Sequence, residues 1–286
     1  MQLRPQAAGH MAAAAVLCAW VSVALAGAPA SWRQDPIWDD GNAEFSAYEV
    51  TWARYGHLFP GRAVLVIVKE PWAPDLDVKA DTPRPGGFDV LKLNHTRDVP
   101  TGIYTYHQMA SVFVRRDTGA LQKIAATSSE LCGISTADMT RGTLRTRSYF
   151  DGQGDRTRRW PAGAVPEDGL PLMLRDYVGG ECPGSIGVFP SLLMGRYTQL
   201  APVLWTLRRT SVATVVVPAG TFVGVSLRLE HAGQWLEYVF EAAAPHRLLR
   251  LAREDGTEYR LAKSERIPYW SMHDPGGEQW LPAGVR

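Results

Sequence analysis

The sequence predicts a mainly β protein: an antiparallel open or half-closed β-barrel carrying one short helix at about residues 168–178. Three observations lead there. β-Branched and aromatic residues recur in short runs that either alternate with polar residues or stay apolar throughout. Glycine, proline and aspartate punctuate those runs at close intervals. Only one stretch, Asp168 to Val178, spaces apolar residues as a helix does.

In chain order, Phe45 to Arg54 places Tyr48, Val50 and Trp52 on one face of a strand. A turn at His57-Leu58-Phe59-Pro60-Gly61 is expected next, followed by Ala63 to Val68, an all-apolar run of the fully buried strand type. Pro71 to Gly87 holds Pro71, Pro74, Pro83 and Pro85 and reads as a long loop. Val90 to Asn94 reads as a short extended piece. Ile103 to Arg115 reads as a long strand that turns at Asp117-Thr118-Gly119 into Ala120 to Ser128. Thr143 to Phe150 alternates, and Asp151 to Asp155 closes another hairpin. Leu170, Leu174 and Tyr177 then give the helix its buried stripe, and Gly179-Gly180 ends it. From Val203 a meander is expected, with strands Val203–Val217, Thr221–His231, Gln234–Phe240, Arg247–Arg253 and Thr257–Arg266. Tight turns between them favour antiparallel pairing over βαβ units. No linker divides the two halves, so one curved sheet over residues 44–270 is expected. An extension at 27–43 precedes it and a tail at 271–286 follows.

The first 26 residues set the expected compartment. Arg4 is the one charged residue there, Met11 to Ala26 is small and apolar, and Ala24-Leu25-Ala26 precedes Gly27 as an A-x-A cleavage site. That order reads as a secretory signal peptide, hence a periplasmic or secreted protein. Leu17 before Cys18 argues against lipidation. The composition excludes other classes. Thirty basic against 29 acidic groups give no electrostatic reason to bind nucleic acid. Beyond the leader no apolar run is long enough to span a membrane. Once the leader is gone, Cys132 and Cys182 remain, and in an oxidising compartment they are expected to form a disulfide worth roughly 2–4 kcal/mol. The rival reading makes Cys132 a nucleophile with a histidine as base.

Several stretches resemble a known exported family. Tyr48-Glu-Val-Thr-Trp, Gly61-Arg-Ala-Val-Leu-Val, Val217-Pro-Ala-Gly-Thr-Phe222, Pro245-His-Arg-Leu-Leu-Arg250 and Tyr259-Arg-Leu-Ala are similar to the DUF3108 type, a family of unknown function. Lys79-Ala-Asp81, Val90-Leu-Lys-Leu-Asn94, Thr101-Gly-Ile-Tyr-Thr-Tyr106 and Ser111-Val-Phe113 look like a subgroup labelled septum formation inhibitor Maf. The nucleotide pyrophosphatases of that name are α/β enzymes with a Ser-x-x-Arg-Arg motif, which this chain lacks. The resemblance spans roughly residues 44 to 270. It implies an open or half-closed barrel similar to the LolA/LolB and LppX lipid and lipoprotein carriers, and it brings no catalytic residues.

The chemistry-bearing residues point the same way. No G-x-S-x-G, H-E-x-x-H, P-loop or G-x-G-x-x-G motif occurs, and no spacing suits a metal site or a cofactor. Asp75-Leu-Asp77 lacks the further oxygens that calcium needs. Glu167-Asp168 reads as an acid pair at a helix start. His57, His95, His231, His246 and His273 fall in expected turns or loops, whereas His107 lies within a strand. Ser111 and His107, four residues apart on one strand, stand about 13 Å from each other and cannot pair as nucleophile and base.

The candidate ligand-binding residues are Lys92, Asn94, Tyr104, Tyr106 and His107. Lys92 and Asn94 share a strand face opposite Leu91 and Leu93. That face is either solvated or, if the sheet curls, lines a cavity where an ammonium and an amide hold an anionic head group between tyrosine walls. The basic hairpin of Arg145, Arg147, Arg156, Arg158 and Arg159 is either solvated or meets phosphate groups.

The expected function is therefore non-enzymatic: binding a lipid, lipoprotein or other amphiphile of the cell envelope. The alternatives are an envelope interaction module docking through a sheet edge or the tail Trp270 to Trp280, and a secreted hydrolase built on Cys132 or Ser111.

Overall fold

The computed structural model describes residues 31–281, so the leader and its cleavage site lie outside the described residues. The described chain forms a 16-stranded sheet. The first half supplies β1 (Ala43–Arg54), β2 (His57–Ala73), β3 (Val78–Lys79), β4 (Phe88–Thr101), β5 (Tyr104–Arg115), β6 (Leu121–Glu130), β7 (Gly133–Thr140), β8 (Thr143–Arg147) and β9 (Arg156–Arg159). The second half supplies β10 (Val165–Pro166), β11 (Ser185–Phe189), β12 (Val203–Val217), β13 (Gly220–His231), β14 (Gln234–Glu241), β15 (Leu248–Arg253) and β16 (Glu258–Ile267). The spatial order is β10-β11-β12-β13-β14-β15-β16-β1-β2-β4-β5-β6-β7-β8-β9, with β3 appended to β2. Every pairing is antiparallel except β10 with β11.

The two halves join through β1 and β16, from Ala43 opposite Ile267 to Thr51 opposite Glu258. The two ends of the path, β9 and β10, do not pair with each other, so the sheet stays open.

One face of the sheet packs on the main core. Tyr48, Val50 and Trp52 of β1, Leu65 and Ile67 of β2, Leu91 and Leu93 of β4, and Leu227 and Leu229 of β13 all point into it. Because the sheet is open, this inner face needs a roof, and the segment between β9 and β12 supplies it. Trp160, Leu170, Leu172, Leu174, Phe189, Leu192 and Leu193 are buried against the strands. Burying each such side chain contributes roughly 1.5–3 kcal/mol. The 3-10 turns Trp32–Gln34 and Pro36–Asp39 add Trp32 and Trp38 to the same core.

The roof is clamped to the sheet by a buried ion pair. Arg175 Nη2 donates to Glu44 Oε1 at 2.7 Å and Nη1 to Oε2 at 3.0 Å, and both side chains are almost wholly removed from water. The guanidinium also donates to the carbonyls of Pro171 (3.3 Å) and Pro245 (3.0 Å). One head group thus ties β1, the roof and the β14–β15 turn together.

Local structure departs from the sequence reading in several places. The β1–β2 turn is Tyr55-Gly56, not 57–61. Both residues have positive φ (54° and 76°), the geometry of a two-residue hairpin turn, and Gly56 takes it without strain. β4 is a long strand rather than a short piece at 90–94, since its pairing with β2 and β5 carries it to Thr101. The Pro71–Gly87 loop begins only after β2 and β3 have paired. The single helix at 168–178 is instead a 3-10 turn (Glu167–Gly169) followed by two one-turn helices, α1 (Leu170–Met173) and α2 (Asp176–Gly179). The two turns part at Leu174-Arg175, where the Arg175 guanidinium is taken up by buried Glu44.

The outer face carries a smaller cluster of Ala43, Phe45, Ala47, Val64, Val66, Val68 and Ile267. Tyr269, Met272, Trp280 and Leu281 fold back over it, and Lys263 Nζ sits 3.9 Å from the Trp280 ring centroid. The tryptophan-rich tail therefore covers the chain's own sheet.

Removing one partner of the buried pair leaves an uncompensated charge. Glu44→Gln and Arg175→Met are each expected to lower unfolding free energy by about 3–5 kcal/mol. The double variant Glu44→Leu with Arg175→Met should lose less than the sum, and denaturant unfolding of the three proteins measures this.

Candidate functional site

On the inner face of β4 the alternation Leu91, Leu93, His95, Arg97, Val99 continues straight through two titratable side chains. Neighbouring strands hold the same height: Gln108 on β5, Trp52 on β1, Tyr259 on β16 and Tyr238 on β14. The roof comes down opposite them with Asp168, Ser191 and Leu193. Between roof and strands lies a cavity of about 290 Å³, lined by His95, Arg97, Asp168, Ser191, Trp52, Tyr238, Tyr259 and Arg253 among others.

Its polar groups are wired to one another. Arg97 Nε donates to Gln108 Oε1 at 2.8 Å, and Nη1 donates to the Tyr259 hydroxyl at 3.1 Å. The guanidinium carbon lies 4.4 Å from the Trp52 ring centroid, a cation–π contact in a dry setting. Gln108 Nε2 donates in turn to Ser128 Oγ at 3.0 Å and to the Leu193 carbonyl, which binds the roof to the sheet. Asp168 receives the Leu192 amide at 2.7 Å and the Ser191 hydroxyl at 2.5 Å. Glu167 pairs with Arg253 at 2.5 Å.

His95 is the exception. It is 6% exposed, its ring packs edge-on against Tyr259, and neither ring nitrogen has a hydrogen-bond partner. Burial, helped by the Arg97 charge, pushes its imidazole down to about 3. It is thus neutral at physiological pH, with one donor and one acceptor unused. A buried polar group without a partner costs on the order of 1–3 kcal/mol, which marks His95 out from the wired groups around it. Asp168 is displaced the other way: burial pushes its carboxyl up to about 6.

A second cavity, of about 340 Å³, shares Met194 and Arg196 with the first. Arg54, Tyr55, Tyr104, Tyr106, Glu130, Cys132, Tyr149 and Phe150 line it. Gly195 allows this junction: its φ is +65°, and a β-carbon there would fall 2.8 Å from Ser128.

Of the residues singled out in the sequence, Tyr104 and Tyr106 line the second cavity. Lys92, Asn94 and His107 sit on the outer face instead, because strand alternation turns them away from Leu91, Leu93 and Tyr106. Lys92 Nζ pairs with Glu70 at 2.5 Å, Asn94 Oδ1 accepts from Ser111 Oγ at 2.7 Å, and His107 Nδ1 donates to Asp98 at 2.8 Å. The structure does not bring the five to one surface. It also corrects the expected disulfide: Cys132 and Cys182 are both free thiols. Cys132 stands in the β6–β7 turn, its amide bound by Glu130 Oε2 at 2.5 Å, while Cys182 is half-buried against the main core after α2. On the basic hairpin, Arg145 and Arg147 pair with Asp138 and Asp155. Asp75 and Asp77 pair with Arg84 and Arg141.

Sequence reasoning does not single out His95, Arg97, Gln108 or Asp168 as ligand groups. It puts His95 in a loop and Asp168 at a helix start. Their signal is the spacing Leu91-x-Leu93-x-His95-x-Arg97-x-Val99, which keeps the strand period through polar residues.

The comparisons with known proteins give little beyond this. No family model matches the chain, and no curated protein matches it. Among solved structures it is similar to a crystal structure of a beta-barrel-like protein of domain of unknown function DUF1849 from Brucella abortus. The TM-score is 0.44 at 9% identity, over 79% of this chain and 98% of that one.

Two pH effects of opposite sign follow. An unfolded histidine takes up its proton near 6.5 and buried His95 only near 3, so stability falls as pH drops through that interval. Asp168 holds its proton to about 6 against 3.8 in the unfolded chain, so stability falls as pH rises from about 4 to about 6. His95→Gln should flatten the acid limb of a stability–pH profile, and Asp168→Asn should steepen the rise between those values. Thiol titration of the native protein should find Cys132 reacting first and Cys182, whose thiol burial pushes up, more slowly.

Proposed function

We propose that this protein binds a small amphiphilic component of the cell envelope, non-enzymatically, in the inner-face cavity between the sheet and its roof. The observation that carries the reading is His95, an almost fully buried imidazole in the cavity wall whose two nitrogens have no hydrogen-bond partner. A ligand hydroxyl or amide, able both to give and to accept a hydrogen bond, satisfies a neutral imidazole. Arg97, held by Gln108 and Tyr259, places a positive charge on the same wall, and Trp52, Leu193, Leu200 and Leu251 offer apolar contact.

The secretory leader expected at residues 1–26 and the resemblance to exported DUF3108-type proteins and LolA/LolB/LppX-type carriers support an envelope setting. A purely binding role is favoured over the hydrolase alternative by the surroundings of its candidate nucleophiles. Ser111 gives its proton to Asn94 on the outer face, and Cys132 has Tyr104, Tyr149 and Glu130 around it, none of them an imidazole.

Native mass spectrometry of the protein purified from its own envelope tests the reading. A co-purifying compound of defined mass is expected, retained on Lys92→Met and lost or reduced on Arg97→Met or His95→Phe, with melting curves showing that the variants fold. A bare mass for the parent protein, or equal retention by all variants, overturns it.

A further inference from the structure

The second cavity opens at one end of the sheet, and its rim has an unusual composition. The β1–β2, β4–β5 and β6–β7 turns are neighbours there, because β1, β2, β4, β5, β6 and β7 are consecutive in the sheet. Each is a two-residue turn, and each carries a large apolar side chain in water: Tyr55 at 63% exposure, Ile103 at 84% and Leu131 at 72%. Tight turns are ordinarily polar; Ile103 and Leu131 are too exposed to pack on the fold, while Tyr55 keeps its hydroxyl on that of Tyr106.

The three do not merge into one flat patch. Each stands on its own hairpin, roughly 10 Å from the next by strand spacing. A protein partner would have to offer a separate pocket for each tip. A fluid bilayer accepts them independently.

The groups beside the tips are of the kinds found at a lipid interface. Tyr104 and Tyr149 come next, apolar rings with a polar end, as in interfacial aromatic belts. Two guanidinium groups stand at the same rim, each laid over an aromatic ring: Arg54 lies 4.9 Å from the Tyr55 ring centroid and Arg196 lies 3.9 Å from that of Phe150. Such cations suit lipid phosphates.

We propose that this end of the sheet docks on a phospholipid bilayer. Ile103 and Leu131 enter the acyl boundary, the tyrosines sit at headgroup level, and Arg54 and Arg196 meet phosphates. The proposal rests on the binding reading above and deepens it: the amphiphile passes from the bilayer through the tyrosine-lined cavity and past Met194 to His95.

Flotation of the purified protein with vesicles of mixed phosphatidylethanolamine and phosphatidylglycerol tests it. The parent should float with the vesicles. Ile103→Ser and Leu131→Ser should each weaken partitioning about tenfold, the cost of returning one aliphatic side chain to water. Melting temperatures should not move, because neither side chain is packed. A parent that does not float, or a double variant that floats as well as the parent, overturns the docking surface. Conversion of a dimer to a monomer by the same substitutions, seen by analytical ultracentrifugation, would assign the tips to a second copy and overturn it too. Vesicle binding by a parent that carries no co-purifying compound would leave the docking surface standing and the cavity reading lost. A retained compound without vesicle binding would keep the cavity reading and overturn the docking surface.

Discussion

An open sheet with one dry face cannot stand by itself, and the rest of this structure answers that constraint. The path from β10 to β9 never closes, so the inner face must be covered by the chain's own connecting segment. Apolar contact supplies most of the cohesion, but it does not fix the position of a segment made largely of loops and single helical turns. The directional groups do. The Glu44–Arg175 pair clamps one side of the roof, Gln108 holds it through the Leu193 carbonyl, and Asp168 folds the Ser191–Leu192 backbone onto its own start. The roof is thus held at a set height above the strands, and the cavity is the space that remains.

The clamp and the cavity use polar burial differently. Arg175 and Glu44 satisfy each other, and the remaining guanidinium protons find carbonyls, so that pair is complete. Around His95 the wiring is incomplete. Arg97 is engaged by Gln108 and Tyr259, Asp168 by Ser191 and Leu192, and the imidazole by nothing. A burial serving stability alone would place leucine there, as β4 does at 91 and 93. That unused donor and acceptor distinguish this part of the interior from the leucine-filled core around it.

Much of the architecture is legible in the sequence because it rests on a period of two and on turn residues. The meander from Val203 onward emerges nearly as its alternation and turns dictate, and the absence of a linker agrees with the two halves forming one sheet. The departures share a cause. Read from sequence, β4 stops short at Asn94 because the next inward positions are His95 and Arg97, and alternation read through hydrophobicity ends where polar residues enter the dry face. The helix over 168–178 reads as one piece because spacing does not register a partner more than a hundred residues away in the chain. The cysteines pair on paper through compartment and number, neither of which positions two side chains against each other.

The same limit explains why Lys92 and Asn94 draw attention ahead of His95. A lysine beside leucines is conspicuous in a sequence, yet its face of the strand is decided by Leu91 and Leu93, which belong to the larger core and so turn Lys92 outward to Glu70. Tyr104 and Tyr106 lie near a strand end, where the inner face opens at the rim, and a polar aromatic there meets both the cavity and the water beyond it. Position along the strand therefore matters as much as face. Mid-strand, an inward polar residue must be wired or go unsatisfied, while at the rim the tyrosines shade into the exposed tips of Tyr55, Ile103 and Leu131. Between those tips and His95 the two cavities meet at Met194 and Arg196, so one continuous lining joins the rim of the sheet to its buried polar centre.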